Sequence, residues 1–284
     1  LTIISASYKT DIPTFYGDWF GERLKAGYVD IRNPFNNRFS RVSLKPDDVD
    51  GFVFWTRNIS PFLPRLKALQ SDGRPFYIQY TITAYPKALE SSVPDPGHAV
   101  QRVVQLAELY GPEKVVWRYD PILISTLTPE SFHLDTFARL SDALAGQVTE
   151  VVVSFTQFYR KTNRNLKKLE QQGVVCRDPD LPEKKALLDR LSEVAAGNGQ
   201  VLTLCSQPDL ATDRLAGAVC IDAKRLGLET GPDKGNRPGC LCMASKDIGG
   251  YDSCLHGCAY CYAVSDTEKA RHVFKQHSPF SNHL

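Results

Sequence analysis

Three cysteines near the end of the chain, Cys254, Cys258 and Cys261, form a Cys-x3-Cys-x2-Cys run between Ser253 and Tyr262. Thiols clustered this tightly in a reducing compartment serve as metal ligands. A four-iron cubane takes one thiolate per iron, so a run that stops at three leaves one iron open to a substrate or cofactor. The pattern predicts an iron–sulfur cluster. The competing expectation is structural zinc, with His256 or Cys242 completing a tetrahedral set.

Of the eight cysteines, none precedes Cys176. Cys205, Cys220, Cys240 and Cys242 predict a second metal site, an iron–sulfur cluster or zinc. Cys205 as a buried core thiol is the alternative. Cys176 stands alone and is expected to ligate nothing.

Arg118 and Asp120 flank Tyr119 at the end of an apolar run, where alternation sends both side chains to one face. They are candidates for catalysis, as is Lys9; a structural ion pair is the competing reading. His98, His133, His272, His277 and His283 lack metal spacing and are expected at the surface. Residues Arg160 to Lys168 carry five basic side chains in nine positions, which predicts a solvated helix start in preference to a phosphate-binding patch.

These residues need a frame to hold them. Near-continuous apolar runs, as in parallel strands buried on both faces, occur at Ile3 to Ser7, Phe52 to Thr56, Phe76 to Ile82, Val115 to Tyr119, Val151 to Phe155 and Val201 to Cys205. Helical periodicity lies between them, at Phe15 to Ala26, Ile59 to Gln70, Gly97 to Tyr110, Ser131 to Leu144 and Pro182 to Ala196. This alternation predicts an α/β fold, a (β/α) barrel or partial barrel of parallel strands with the active site at the carboxyl ends. The body spans residues 1–208. A loop-rich, Cys-containing segment with the second metal site follows over 209–242, and 243–284 completes the barrel with a strand, the cluster loop and a helix.

Lys and Arg number 34 against 32 Asp and Glu, so no global field draws the chain to nucleic acid or an anionic membrane. With no bilayer-length apolar run and no signal-like start, a cytoplasmic protein that engages no membrane is expected.

The cysteine run, with Tyr260 before its last member, resembles the signature of the radical SAM superfamily, and its Cys-Ala-Tyr-Cys-Tyr ending is similar to the spore photoproduct lyase branch. The resemblance implies a 4Fe-4S cluster whose open iron binds S-adenosyl-L-methionine and cleaves it reductively to a 5′-deoxyadenosyl radical. It also implies an electron donor such as flavodoxin or ferredoxin.

The whole chain further resembles domain-of-unknown-function family 1848. That likeness rests on Ile4 to Ser7 with Thr10 to Pro13, Val53 to Thr56, Trp117 to Pro121, and Cys240 to Cys242 leading through Asp247 to Cys254. In the superfamily the cluster loop follows the first barrel strand, whereas here it lies near the chain's end. A circular permutation reconciles the two: Met243 to Ile248 becomes the strand before the loop, Thr267 to Gln276 the helix after it, and Ile3 to Ser7 the second strand. Under that mapping Thr10, Asp11 and Tyr260 bind the cofactor. The expected function is a radical SAM enzyme acting on an unidentified substrate, a nucleotide or nucleic acid lesion first, a small metabolite or peptide otherwise. A non-catalytic zinc or iron–sulfur module that contacts nucleic acid is the alternative from a different class.

Overall fold

The computed structural model describes residues 2–212, 214–229 and 239–284. The strands are β1 Thr2–Ala6, β2 Tyr28–Arg32, β3 Phe39–Ser43, β4 Val49–Thr56, β5 Phe76–Thr81, β6 Val115–Ile122, β7 Ile124–Ser125, β8 Glu150–Phe155, β9 Cys176–Arg177, β10 Val201–Leu204 and β11 Ser245–Asp247. The helices are α1 Ile12–Phe15, α2 Gly17–Ala26, α3 Leu63–Ser71, α4 Pro96–Tyr110, α5 Glu130–Ala143, α6 Arg160–Glu170, α7 Leu181–Gly197 and α8 Thr267–Gln276.

Seven strands form one parallel sheet in the order β10-β8-β6-β5-β4-β1-β11. Each successive sheet strand adds beside its predecessor until β11, which returns to the free side of β1 with Ser5 opposite Asp247. The strand expected before the cysteine loop therefore lies beside the strand expected second. The sheet is open, with β10 and β11 at its edges; among the described residues no closed barrel forms.

Side chains alternate across the sheet. One face, with Ile4, Phe54, Ile78, Trp117 and Val153, joins the core built with the helices. The other, with Ile3, Val53, Tyr77, Val116 and Val152, packs on Ala218, Cys220, Ile221, Ala223 and Leu226. The Cys-containing segment thus covers the sheet face that the helices leave open, which is why these strands are apolar on both sides. The stretch Gly231 to Gly239, expected to be loop, lies outside the described residues except for Gly239.

Two expectations change. His133 is buried, hydrogen bonded to the Tyr119 hydroxyl at 2.9 Å and the Leu123 carbonyl at 3.1 Å. Burial lowers its pKa to about 4. The basic run is helix α6, whose Thr162, Leu166 and Leu169 are buried; its start is solvated, but its back packs on the cysteine loop.

Candidate metal centre and active site

Beyond β11 the chain runs past Gly249, turns at Tyr251 and Asp252, and lays the cysteine loop over the carboxyl ends of β1 and β4. A Cβ at Gly249 would come 2.0 Å from Ser7 Oγ, so the close approach to Ser7 requires glycine. Gly257, at φ +67°, sits between Cys254 and Cys258 with Ser91 as close. Thr10 Oγ1 donates to Gly250 O at 2.6 Å and also pairs with the Ser253 hydroxyl. Tyr16 donates to Ser253 O at 2.8 Å, and Ala259 N to Leu89 O at 2.9 Å.

The three loop thiols are half-buried. Burial pushes the Cys254 thiol up to about 12, and Asp11 and Cys261 push the same way. Cys258 and Cys261 are raised by burial too, with the Arg57 guanidinium opposing the shift in both. Without a metal such thiols keep their protons, and ligation would displace them. Among the described residues no group of three or more His, Cys, Asp or Glu is disposed to hold a single metal ion. Ligands of a cubane sit on separate irons and need not meet at one point.

Arg57, at the end of β4, reaches beneath this loop. Its Nη1 lies 2.8 Å from Glu90 Oε1 and its Nη2 donates to the Tyr260 hydroxyl at 2.6 Å; Thr83 donates to Glu90 at 2.7 Å. Burial works against the charge on Arg57, but Glu90, Tyr260, Cys258 and Cys254 outweigh it and keep the guanidinium protonated.

Asp11 is bound from four directions. It accepts from Thr14 N at 2.9 Å, capping α1, from Thr56 Oγ1 at 2.9 Å, from Arg57 N at 2.8 Å and from His256 Nε2 at 2.7 Å. Thr10, Asp11 and Tyr260 are thus brought to the loop, with these side-chain groups engaged within the chain.

Lys9 and Asp247 form a second set. Asp247 accepts from Ser5 Oγ and Ser7 Oγ, both at 2.8 Å, and from Tyr8 N at 3.0 Å, with Lys9 Nζ at 3.3 Å. Ser5 Oγ also accepts from Trp55 Nε1 at 3.0 Å. Tyr8 meets the Trp55 ring edge-on, and Arg118 lies over that ring 4.8 Å from its centre. Arg118 pairs with Asp120 at 2.6 Å, and Ser154 donates to the same carboxylate. Lys9, Arg118 and Asp120 are therefore linked through Tyr8 and Trp55.

On the covered face of the sheet, Arg118 Nη1 also lies 3.2 Å from Cys220 Sγ, and Cys220 Sγ lies 3.5 Å from Cys205 Sγ. Cys242 contacts Cys220, whereas Cys240 is half-buried two residues away. Cys176 lies in the short pairing of β9 with β7 and packs on the same apolar cluster as Cys258.

Glu90, Asp247 and Trp55 are the site residues that sequence reasoning missed. Asp247 carried a signal, since it stands in the stretch that leads into the cysteine run; Glu90 carried none.

Comparison with curated proteins finds no match to this chain. A family model described as a domain of unknown function, DUF1848, matches residues 3–263, nearly the whole chain. The protein belongs to that family.

Proposed function

We propose that this protein is a radical SAM enzyme whose cluster is held by Cys254, Cys258 and Cys261. The observation that carries the reading is the position of the three-thiol loop. It follows β11, a parallel neighbour of β1, and lies at the carboxyl end of the sheet, where α/β enzymes place their sites. In this reading β11 is the first strand of a circularly permuted partial barrel and β1 the second.

The residues present fit a cluster. His256, between Cys254 and Cys258, has a buried Nδ1 without a hydrogen-bond partner; with Nε2 donating to Asp11 this nitrogen accepts, and the amine of a cofactor held in the loop would supply the missing donor. Arg57 places a buried cation beside Cys254 and Cys258, offsetting thiolate charge. When bound, the cluster supplies the electron that cleaves S-adenosyl-L-methionine to a 5′-deoxyadenosyl radical. The chain's own part is positional: Glu90 and Tyr260 orient Arg57, Asp11 anchors the loop, and Lys9, Trp55, Arg118 and Asp120 form a polar wall for substrate.

One observation favours single-stranded nucleic acid as that substrate. The exposed rings of Tyr8, Tyr159, Tyr251 and Tyr262, each 40–46% accessible, gather near the loop. Tyr262 donates to Tyr8 O at 2.7 Å and lies 6.4 Å from the Tyr159 ring, and Lys161 lies 4.8 Å over Tyr251. Beside them an open groove of about 840 Å³ is lined by Arg160, Lys161, Arg164 and Lys167 of α6. Cations interleaved with stacking rings are what a single strand requires, and they are assembled here from distant parts of the chain.

The test is anaerobic purification, iron analysis and incubation with dithionite and S-adenosyl-L-methionine. About four irons in the loop and release of 5′-deoxyadenosine, both lost on changing any loop cysteine to Ala, are expected. A protein that takes up no iron, or releases no 5′-deoxyadenosine, overturns the reading in favour of a non-catalytic module.

A further inference from the structure

The second cysteine group is arranged differently from the loop. Cys205 and Cys220 are buried, with sulfurs 3.5 Å apart. A disulfide would bring them to about 2.05 Å. Two thiolates on one tetrahedral zinc, each about 2.3 Å from the metal, stand about 3.8 Å apart. In a cubane each thiolate holds its own iron, which spreads the sulfurs more widely. At 3.5 Å the Cys220 thiol donates a hydrogen bond to Cys205, and a small outward adjustment of the pair brings both sulfurs within reach of one ion.

The surroundings are built to hold that pair. Arg118 Nη1 approaches Cys220 Sγ at 3.2 Å and is itself fixed by Gln79 Oε1 at 3.1 Å and by Asp120. A zinc with four thiolates carries excess negative charge, and a buried guanidinium donating to a ligand sulfur offsets it. Tyr77 and Gln79 donate to the Cys220 carbonyl at 2.8 and 2.9 Å, locking the ligand's backbone against the sheet. Met243 N donates to Ile221 O at 2.9 Å, so the segment with Cys240 and Cys242 runs beside Cys220. A Cβ on Gly217 would meet Leu241 at 2.7 Å, confirming how closely the two segments lie.

We propose that Cys205, Cys220, Cys240 and Cys242 bind one zinc ion on the covered face of the sheet, separate from the three-cysteine loop. Cys205, Cys220 and Cys242 already adjoin, but the four thiols do not yet meet at one point; Cys240 swings in to close the set as the metal enters and the thiols release their protons. The ion ties together the end of β10, the segment that covers the sheet and the approach to β11. It thereby fixes Arg118 from behind.

The experiment uses the full chain with Cys254, Cys258 and Cys261 all changed to Ala, expressed with zinc and iron supplied and purified anaerobically for metal analysis. About one zinc per chain and no iron are expected, falling about tenfold when Cys205→Ala and Cys220→Ala are added. Absence of zinc, zinc retained after both changes, or iron with labile sulfide in its place overturns the proposal. Because the five-fold variant can fail to fold, the chelator-stripped triple loop variant, with Cys205 and Cys220 intact, is also titrated with cobalt(II). Intense thiolate-to-cobalt charge-transfer bands with tetrahedral d–d absorption, saturating near one equivalent in the loop-variant chain, are expected, and their absence overturns it. Failure of the radical reading would instead remove iron from the wild type and leave zinc in place.

Discussion

His256, within the cysteine loop, donates its Nε2 proton to Asp11 at 2.7 Å, joining residues 245 positions apart. The same carboxylate caps α1 and holds the Thr56 hydroxyl and Arg57 N at the end of β4. Asp11→Ala leaves these buried donors unpaired together, a loss of about 3 kcal/mol or more. Urea unfolding should show that loss, and iron retained after desalting should fall with it. Undiminished iron in Asp11→Ala would mean that the loop does not depend on this anchor.

The buried pair of Arg57 and Glu90 makes a second prediction. With side chains only 10% and 2% accessible, removing one partner leaves an uncompensated charge. Arg57→Ala should cost about 3 to 5 kcal/mol, and Glu90→Gln less, because the amide keeps hydrogen bonding to Thr83 and Tyr260. Denaturant midpoints of the two variants measure the difference; equal, small losses would show that the pair is solvated and incidental.

Much of this frame is legible in the chain. The six apolar runs become strands because a sheet covered on both faces needs apolar side chains at every position, a signal that survives in short windows. The hairpin of β2 and β3 carries no such signal, β2 being mostly half-buried and β3 mostly exposed, with polar residues in both. The docking face of α6 is hidden for the same reason: the basic run announces a solvated helix start, and its mean polarity masks the three residues that dock it. The cysteine loop is local and its spacing can be read directly, but what surrounds it is not. Glu90 meets Arg57, and Arg118 meets Cys220, through contacts that depend on the fold alone. The open sheet also departs from a closed barrel because β10 and β11 remain edges, with the Cys-containing segment filling the face instead.

His133 gives a pH dependence. Its folded pKa is depressed to about 4 from an ordinary 6.5, because burial disfavours the imidazolium. Between those values the unfolded chain binds the proton and the folded one does not, so stability rises with pH. The contribution is fully present above about pH 6.5 and is lost as pH falls through about 4, amounting to about 3 kcal/mol. Urea midpoints at pH 7 and pH 4.5 should diverge less in His133→Gln than in wild type. An unchanged divergence would assign the acid sensitivity to other groups.

The basic groove of α6 separates the nucleic acid reading from its rivals. Among the described residues Lys168 is paired with Asp266, while no carboxylate pairs with Lys161, Arg164 or Lys167. Binding of a single-stranded oligonucleotide should weaken with salt, and the triple change of Lys161, Arg164 and Lys167 to Ala should lower the slope of log K against log salt by about 2. Tyr262→Ala should cost a further 1 to 3 kcal/mol, roughly, at fixed salt if its ring stacks on a base. Fluorescence anisotropy across a salt series measures both terms. If the slope is unchanged but the triple variant accepts electrons more slowly from an acidic carrier such as flavodoxin, the groove is the reductant's docking face, and the substrate must be sought along the wall of Lys9, Trp55 and Arg118.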